Sequence, residues 1–127
     1  MITTGDIETI LVRDLKLFGI PTYKKDAILE GKVTEERIDI IPKEFKPSKF
    51  WVKGFVDVNF CVPDINGMAD KKRLTELERQ AADLRSVSFF EGFTYRYKAY
   101  STNQEKDTQL ECHFVNVKIM FEILNVR

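Results

Sequence analysis

The 127-residue chain has very few of the residues that most often carry out catalysis or bind metals. It contains one histidine, His113, and two cysteines, Cys61 and Cys112. It has no CxxC pair, no HExxH sequence and no complete calcium-binding loop. Its six glycines are scattered, and none belongs to a phosphate-binding loop. We therefore predict a protein that is not an enzyme and that binds no cofactor or metal.

The chain also lacks an excess of either charge and any long apolar run. The 20 Lys and Arg residues balance the 20 Asp and Glu residues, whereas proteins that neutralise many phosphates are usually basic. No segment reaches the roughly 18 apolar residues of a membrane-spanning helix, and the first residues do not have the pattern of a signal peptide. We expect neither a specific nucleic acid nor a membrane as partner, and we expect the protein to fold in the cytoplasm.

Two segments do show a strong pattern, because apolar and polar residues alternate along them. In "KFWVKGFVDVNFCVPD" the alternate residues Val52 to Val62 form an apolar face. In "LECHFVNVKIMFEIL" alternate residues from His113 to Ile123 do the same. Alternation of this kind predicts strands with one face on the core. The preceding segment "FTYRYKAY" alternates too, and a polar connector over residues 101–109 is predicted to join it to the last strand as a long hairpin.

Two other segments have apolar residues at helical spacing. These are "IETILVRDLKLFG" near the start and "MADKKRLTELERQAADLRSV" in the second half, for which Asp70 is a predicted N-cap. A short strand is predicted from Arg37, and Pro42 and Pro47 are expected to end it. We predict one α+β domain over residues 1–127, with an antiparallel sheet of four or five strands, two helices packed on one face and a long C-terminal β-hairpin.

The second face of the predicted sheet carries large apolar side chains among charged ones, and no further element is predicted to cover it. Such a face indicates contact with another subunit. The polar hairpin tip and the loop over residues 43–49 are further candidate contacts. The candidate interface residues are Phe50, Trp51, Phe55, Asn103, Gln104, Glu105, Lys106, Phe114 and Met120.

Two alternative interpretations of single residues were weighed. A catalytic His113 would need a nucleophile beside it, but Cys112 is its neighbour in a strand and points the opposite way. Aromatic residues alternating with Arg96 and Lys98 could stack on single-stranded bases. The aromatic residues share a face with Ala99, however, and this arrangement favours a hydrophobic core.

The order of the elements carries a resemblance to a known family. The segments are "IETILVRDLKLFG", "FVDVNFCVPD", "LTELERQAADLRSV", "FTYRYKAYS" and "HFVNVKIMFEI". This order resembles that of the tail terminator and minor tail proteins of long-tailed bacteriophages, although the segment "EGKVTEERIDIIPKEFKPSKF" is additional to the shorter members. The resemblance implies a structural protein that closes the tail tube as a homo-oligomeric ring, usually of six subunits.

The resemblance also implies partners and a location. The partners are other copies of the chain, the tail tube protein and a head completion protein. The location is the virion, after assembly in the cytoplasm of the bacterial host. A small non-enzymatic protein-binding module of a bacterial cell is the alternative interpretation.

Overall fold

The computed structural model describes residues 2–46 and 50–124 of the chain. Within these residues the helices are α1 (Thr4–Asp14) and α2 (Lys71–Ala82), and 3₁₀ turns span Leu15–Phe18 and Lys25–Ala27. The strands are β1 (Thr22–Tyr23), β2 (Arg37–Lys46), β3 (Trp51–Pro63), β4 (Arg85–Phe90), β5 (Phe93–Asp107) and β6 (Cys112–Leu124).

The predicted antiparallel sheet of four or five strands is wrong. The described residues form one six-stranded sheet in the order β1-β2-β3-β6-β5-β4, which curls into a half-barrel beside only two short helices. The sheet is mixed, because β1 runs parallel to β2 while all other neighbours are antiparallel. β1 has only two residues, so no alternation of apolar and polar residues can be recognised in it. The first half of β4, Arg85 to Val87, was assigned to the second helix, because Leu84 continues the helical spacing of Ala81.

The core lies on one face of the sheet, which we call the core face. β3 and β6 pair along thirteen residues, and their apolar faces are buried together. Both helices add side chains to this cluster, including Ile10 and Leu11 from α1 and Leu74 and Leu77 from α2. The predicted apolar faces of β3 and β6 are confirmed. The opposite side of the sheet, the outer face, carries the candidate interface.

The helix ends follow local rules. Thr3 caps α1 in a capping box with Asp6, whose backbone N–H donates to the Thr3 hydroxyl over 3.2 Å. The 3₁₀ turn that follows α1 ends at Gly19, which has a left-handed conformation with φ of 67°. Asp70 caps α2 by accepting from the backbone N–H of Arg73, as predicted from the sequence.

The predicted end of a strand at Pro42 is also wrong, because β2 continues through Pro42 to Lys46. β1 covers β2 only at Ile38 and Asp39. Pro42 therefore lies where one edge of β2 is open, and its missing N–H removes no sheet hydrogen bond on that side. The pairing of β2 with β3 shifts between Pro42 and Phe45, as in a bulge. Residues 47–49 of the candidate loop lie outside the described residues.

The hairpin differs from the prediction in its polar half. The predicted connector from Ser101 onward is strand as far as Asp107, and the turn begins only at Thr108. Polar residues form this half of β5 because β6 satisfies its backbone, while side chains such as Thr102 meet the polar side of α2. A strand with polar residues on both faces has no hydrophobic alternation, so the sequence pattern could not show it.

Candidate functional site

The outer face of the sheet is built from rows of side chains that the strand register places side by side. One row holds Phe55 and Met120, a second holds Asn59 and Asn116, and a third holds Cys61 and Phe114. The asparagines are joined by a hydrogen bond of 2.8 Å from Asn116 Nδ2 to Asn59 Oδ1. This polar row separates two ends of the outer face with different environments.

We call the end that carries Arg37, Asp39, Cys61 and Cys112 the closed end. These four side chains are buried, and Val33 from the segment before β2 packs on the two cysteines. The Val33 N–H donates to the carbonyl of Leu110 over 2.9 Å, which fixes the segment across the sheet. The chain therefore covers this part of its outer face itself.

The closed end contains a buried ion pair. Arg37 Nε lies 3.2 Å from Asp39 Oδ2, and the Cys61 thiol donates to the same oxygen over 3.8 Å. Burial raises the pKa of Asp39, and the Arg37 charge opposes that shift. The hydrogen bond with Cys112, burial and the Asp39 charge together raise the pKa of the Cys61 thiol. The protonated thiol of Cys61 is therefore not an activated nucleophile.

His113 is placed away from this thiol pair. It faces the core side of β6, and its Nδ1 lies 2.7 Å from Asp64 Oδ1. Among the described residues it makes no hydrogen bond to Cys61 or Cys112. The same residues contain no group of three or more His, Cys, Asp or Glu side chains that could hold a metal ion. None of the helices in the described ranges is long and apolar enough to cross a bilayer.

The other end, which we call the open end, is lined by aromatic and cationic groups. The guanidinium of Arg96 lies 4.1 Å from the centre of the Trp51 ring, and its Nη2 lies 3.0 Å from Glu122 Oε2. Phe55 and Tyr100 meet edge to face with ring centres 5.3 Å apart. Tyr100 is 61% exposed although it contacts Phe55, so the described chain does not cover this aromatic pair.

A groove of about 560 Å³ borders the open end where β4 and β5 meet. Its cationic groups are Arg85, Arg96 and Lys98, and its apolar walls include Val87 and Met120. Its volume lies within the range of ligand pockets. The groove is therefore a second feature of the outer face that could bind a partner.

The structure distributes the predicted interface residues over several environments. Trp51, Phe55 and Met120 lie together and half-buried at the open end, and Phe50 is exposed directly before β3. Phe114 packs instead on the buried cluster of the closed end. Asn103, Glu105 and Lys106 are exposed side chains of β5 rather than of a hairpin tip.

Gln104 is held by the chain itself. Its Oε1 accepts from Lys71 Nζ over 2.8 Å, and its Nε2 donates to Glu78 Oε1 over 3.0 Å, so it binds α2. Arg85, Val87 and Phe89 were not among the predicted interface residues, although their side chains are exposed. The alternation in "RSVSFF", followed by the two-residue segment Glu91-Gly92, is the signal that could have identified this strand and its hairpin turn.

Comparison with known proteins identifies a shared fold. No family model and no curated protein matches the chain. A solved structure whose name states no function is similar to the chain over 100% of this chain and 99% of its own, with 12% sequence identity and a TM-score of 0.54. At this identity the likeness shows the fold alone.

Proposed function

We propose that the chain is a non-enzymatic assembly subunit of the phage tail terminator type, which forms a ring of like subunits at the end of a tail tube. The observation that carries the proposal is the open end of the outer face. There Tyr100 is 61% exposed beside Phe55, Met120 lies half-buried opposite Phe55 in the same row, and Trp51 lies half-buried nearer the start of β3. Adjacent apolar groups of this kind on a small domain mark a protein contact.

The open end is also suited to contacts between copies because it combines aromatic rings with cationic side chains. Trp51 and Phe55 each have a cation over the ring, from Arg96 and Lys118 respectively. Aromatic residues and arginine are enriched at the centres of protein interfaces. A head-to-tail contact whose rotation closes would then give a ring. The element order, which resembles that of tail terminator proteins, supports this use of the surface.

The cover of the closed end restricts the part of the outer face on which a neighbouring subunit is needed. Val33 and the segment around it already cover Cys61 and Cys112. A neighbouring subunit is therefore needed only over the open end, next to β4 and the first half of β5. We therefore expect the proposed contact at the end of the sheet that carries Phe50 and Trp51.

Oligomeric state tests the proposal directly. We would measure molar mass by light scattering after size exclusion, for the chain alone at high concentration and after mixing with the tail tube protein encoded nearest to it. We expect a ring in at least one of the two conditions. The double substitution Phe55→Gln and Tyr100→Ser should abolish it, because it removes the aromatic pair of the open end.

Leu17 provides a matched control, because it is an exposed apolar residue on the 3₁₀ turn after α1 rather than on the sheet. Leu17→Gln should leave the ring intact. A chain that stays monomeric in both conditions would contradict the proposal. A one-to-one complex with a different protein, without self-association, would support the alternative of a protein-binding module.

A further inference from the structure

We propose that the free edge of β4 is a docking site for an extended acidic segment of another protein, which adds to the sheet as a seventh strand. β4 is the last strand of the sheet order, and among the described residues only β5 pairs with it. Addition of a peptide strand to such an edge is a common mode of recognition. The inference goes beyond the proposed ring, because it assigns this edge to a partner other than the chain itself.

The backbone of β4 has hydrogen-bonding groups directed at the free edge. Glu91 and Gly92 form a two-residue turn with φ of 51° and 81°, the left-handed values of a type I′ hairpin. The pair that flanks such a turn, Phe90 with Phe93, exchanges hydrogen bonds, and every second pair along the hairpin does the same. The pattern reaches Leu84, whose carbonyl accepts from the Ala99 N–H over 2.9 Å.

The alternation leaves the odd-numbered residues Arg85, Val87 and Phe89 with their N–H and C=O groups directed away from β5. These are also the residues whose side chains are on the outer face, where Val87 is 76% and Phe89 is 70% exposed. Natural edge strands are usually protected by proline, by a bulge or by an inward-pointing charge. β4 has none of these, so its edge is available to a partner strand.

The cationic side chains beside this edge indicate the charge of the partner segment. The side chains of Arg85 and Lys98 line the groove and make no hydrogen bond or ion pair within residues 2–46 and 50–124. The acidic group of the groove, Glu122, is already engaged by Arg96 at 3.0 Å and by Lys53 at 3.7 Å. A strand with a carboxylate near Arg85 and apolar side chains near Val87 would therefore complement the edge.

A second copy of the chain fits the edge poorly. The sequence of β4, "RSVSFF", contains no acidic residue, and pairing two copies of β4 would bring two cationic grooves together. The other long open edge, in β2, is interrupted by Pro42 and by the register shift that follows it. We therefore assign the edge to an acidic segment of a different protein.

The test uses the whole chain and synthetic peptides. The acidic probe is Thr-Val-Thr-Val-Thr-Glu-Thr, which in antiparallel pairing places its glutamate beside Arg85 and its valines beside Val87 and Phe89. A second peptide carries lysine in place of the glutamate, and a third is N-methylated at the central valine. Binding would be measured by calorimetry at low and high salt, and contacted amides by nuclear magnetic resonance.

We expect the acidic peptide to bind with amide shifts concentrated on Arg85, Val87 and Phe89, and the N-methylated peptide not to bind. Arg85→Glu should weaken the acidic peptide about tenfold and strengthen the lysine peptide, as expected for a desolvated charge pair. Arg79→Glu is the matched control, because it makes the same charge change on the exposed surface of α2. It should leave both affinities unchanged.

Four results would overturn the inference. They are no binding of the acidic peptide at millimolar concentration, equal binding of the acidic and lysine peptides, an equal loss in the two arginine variants, or a dimer of the chain that Val87→Pro dissociates. Val87→Pro removes an N–H at the free edge without removing a bond to β5. These results are independent of ring formation through Phe55 and Tyr100, so each proposal can fail without the other.

Discussion

At the scale of single residues, Gly54 shows how closely the curled sheet is packed. A Cβ atom added to Gly54 would lie 2.4 Å from Cδ1 of Phe45, whose ring fills the space over the glycine. Phe45 follows the register shift of β2 and packs against the core. The bulge and the glycine therefore act together, since one places the ring and the other leaves room for it.

We predict that Gly54→Ala will lower the free energy of unfolding by about 2 kcal/mol, as overpacking of a core does. The free energy would be measured by urea denaturation. Gly5→Ala is the control, because a Cβ there would meet only Thr3 Oγ1 at an ordinary 3.6 Å and Gly5 lies in α1. That variant should be neutral or slightly stabilising. Equal unfolding free energies for the two variants would contradict the packing argument.

Tyr97 is a second residue whose environment has a measurable consequence. Its hydroxyl donates to Asp14 Oδ2 over 2.6 Å, and Arg13 donates to the neighbouring Tyr95 hydroxyl over 2.7 Å. Burial raises the pKa of Tyr97, and the Asp14 carboxylate raises it further. The folded pKa therefore lies above the value of about 10 in an unfolded chain. The resulting stabilisation is complete below pH 10 and is lost as the pH rises toward the folded pKa.

We predict that unfolding free energy will fall steeply above pH 10 in the parent chain and less steeply in Tyr97→Phe. The measurement is urea denaturation at intervals between pH 8 and about 11.5. Tyr100→Phe serves as the control, because Tyr100 is exposed on the outer face, and it should keep the slope of the parent chain. If the free energy of unfolding fell with pH at the same slope in the parent chain and in Tyr97→Phe, the loss of stability could not come from Tyr97.

At the scale of elements, hydrophobic periodicity predicted those elements that bury a regular face. β3 and β6 alternate along their length, and α1 carries apolar residues at helical spacing, so each was found near its observed position. β1 is too short to alternate, and the first half of β4 was included in the second helix because Leu84, just before it, continues the spacing of α2 by chance. The distal half of β5 is polar because α2 covers it with Glu78 and Lys71. These elements depend on tertiary pairing rather than on local pattern.

An ion pair attaches α2 to the segment that leads into the sheet. Arg73 donates two hydrogen bonds to the Glu36 carboxylate, of 2.7 Å and 2.9 Å, and so joins α2 to the residue before β2. Both side chains are about 30% exposed, so solvent weakens the pair. We predict that Arg73→Ala lowers the free energy of unfolding by about 1 kcal/mol, an upper value for a two-bond arginine–carboxylate pair at this exposure.

A double-mutant cycle with Glu36→Gln would isolate the energy of this pair from other losses at Arg73. Lys72→Ala is the control, because Lys72 is the exposed neighbour on α2 and makes no ion pair within the described residues. It should change the free energy of unfolding little. A coupling energy of zero in the cycle would show that the two hydrogen bonds do not attach the helix.

At the scale of the whole molecule, the outer face is covered at one end and open at the other. The sequence correctly placed Trp51, Phe55 and Met120 on one face, because alternation in a strand fixes the side of each residue. It could not show that Val33 covers the closed end, or that β4 adds Val87 and Phe89 to the open end. Both depend on how segments distant in sequence meet. The open end is therefore a smaller and more specific surface than the predicted one.

The cover of the closed end can be tested through the reactivity of the two thiols beneath it. Cys61 and Cys112 are buried, and Val33 packs on both. A thiol reagent should therefore react with the folded chain only when the segment around Val33 opens. Val33→Ala removes part of that cover at a cost of about 1 to 2 kcal/mol. We predict that thiol modification, followed by absorbance with an aromatic disulfide, becomes about tenfold faster in Val33→Ala, while the far-ultraviolet circular dichroism stays unchanged.

Leu29 supplies the control that separates local cover from general loosening of the same segment. It precedes Val33 by four residues but is exposed, so Leu29→Ala should leave the modification rate unchanged. If both variants accelerate modification equally, the segment opens as a whole and Val33 has no special part in it. If the parent chain reacts as fast as its urea-unfolded form, the segment does not shelter the thiols. The outer face would then be accessible along its whole length, and the proposed contact would no longer be restricted to the end that carries Phe55 and Tyr100.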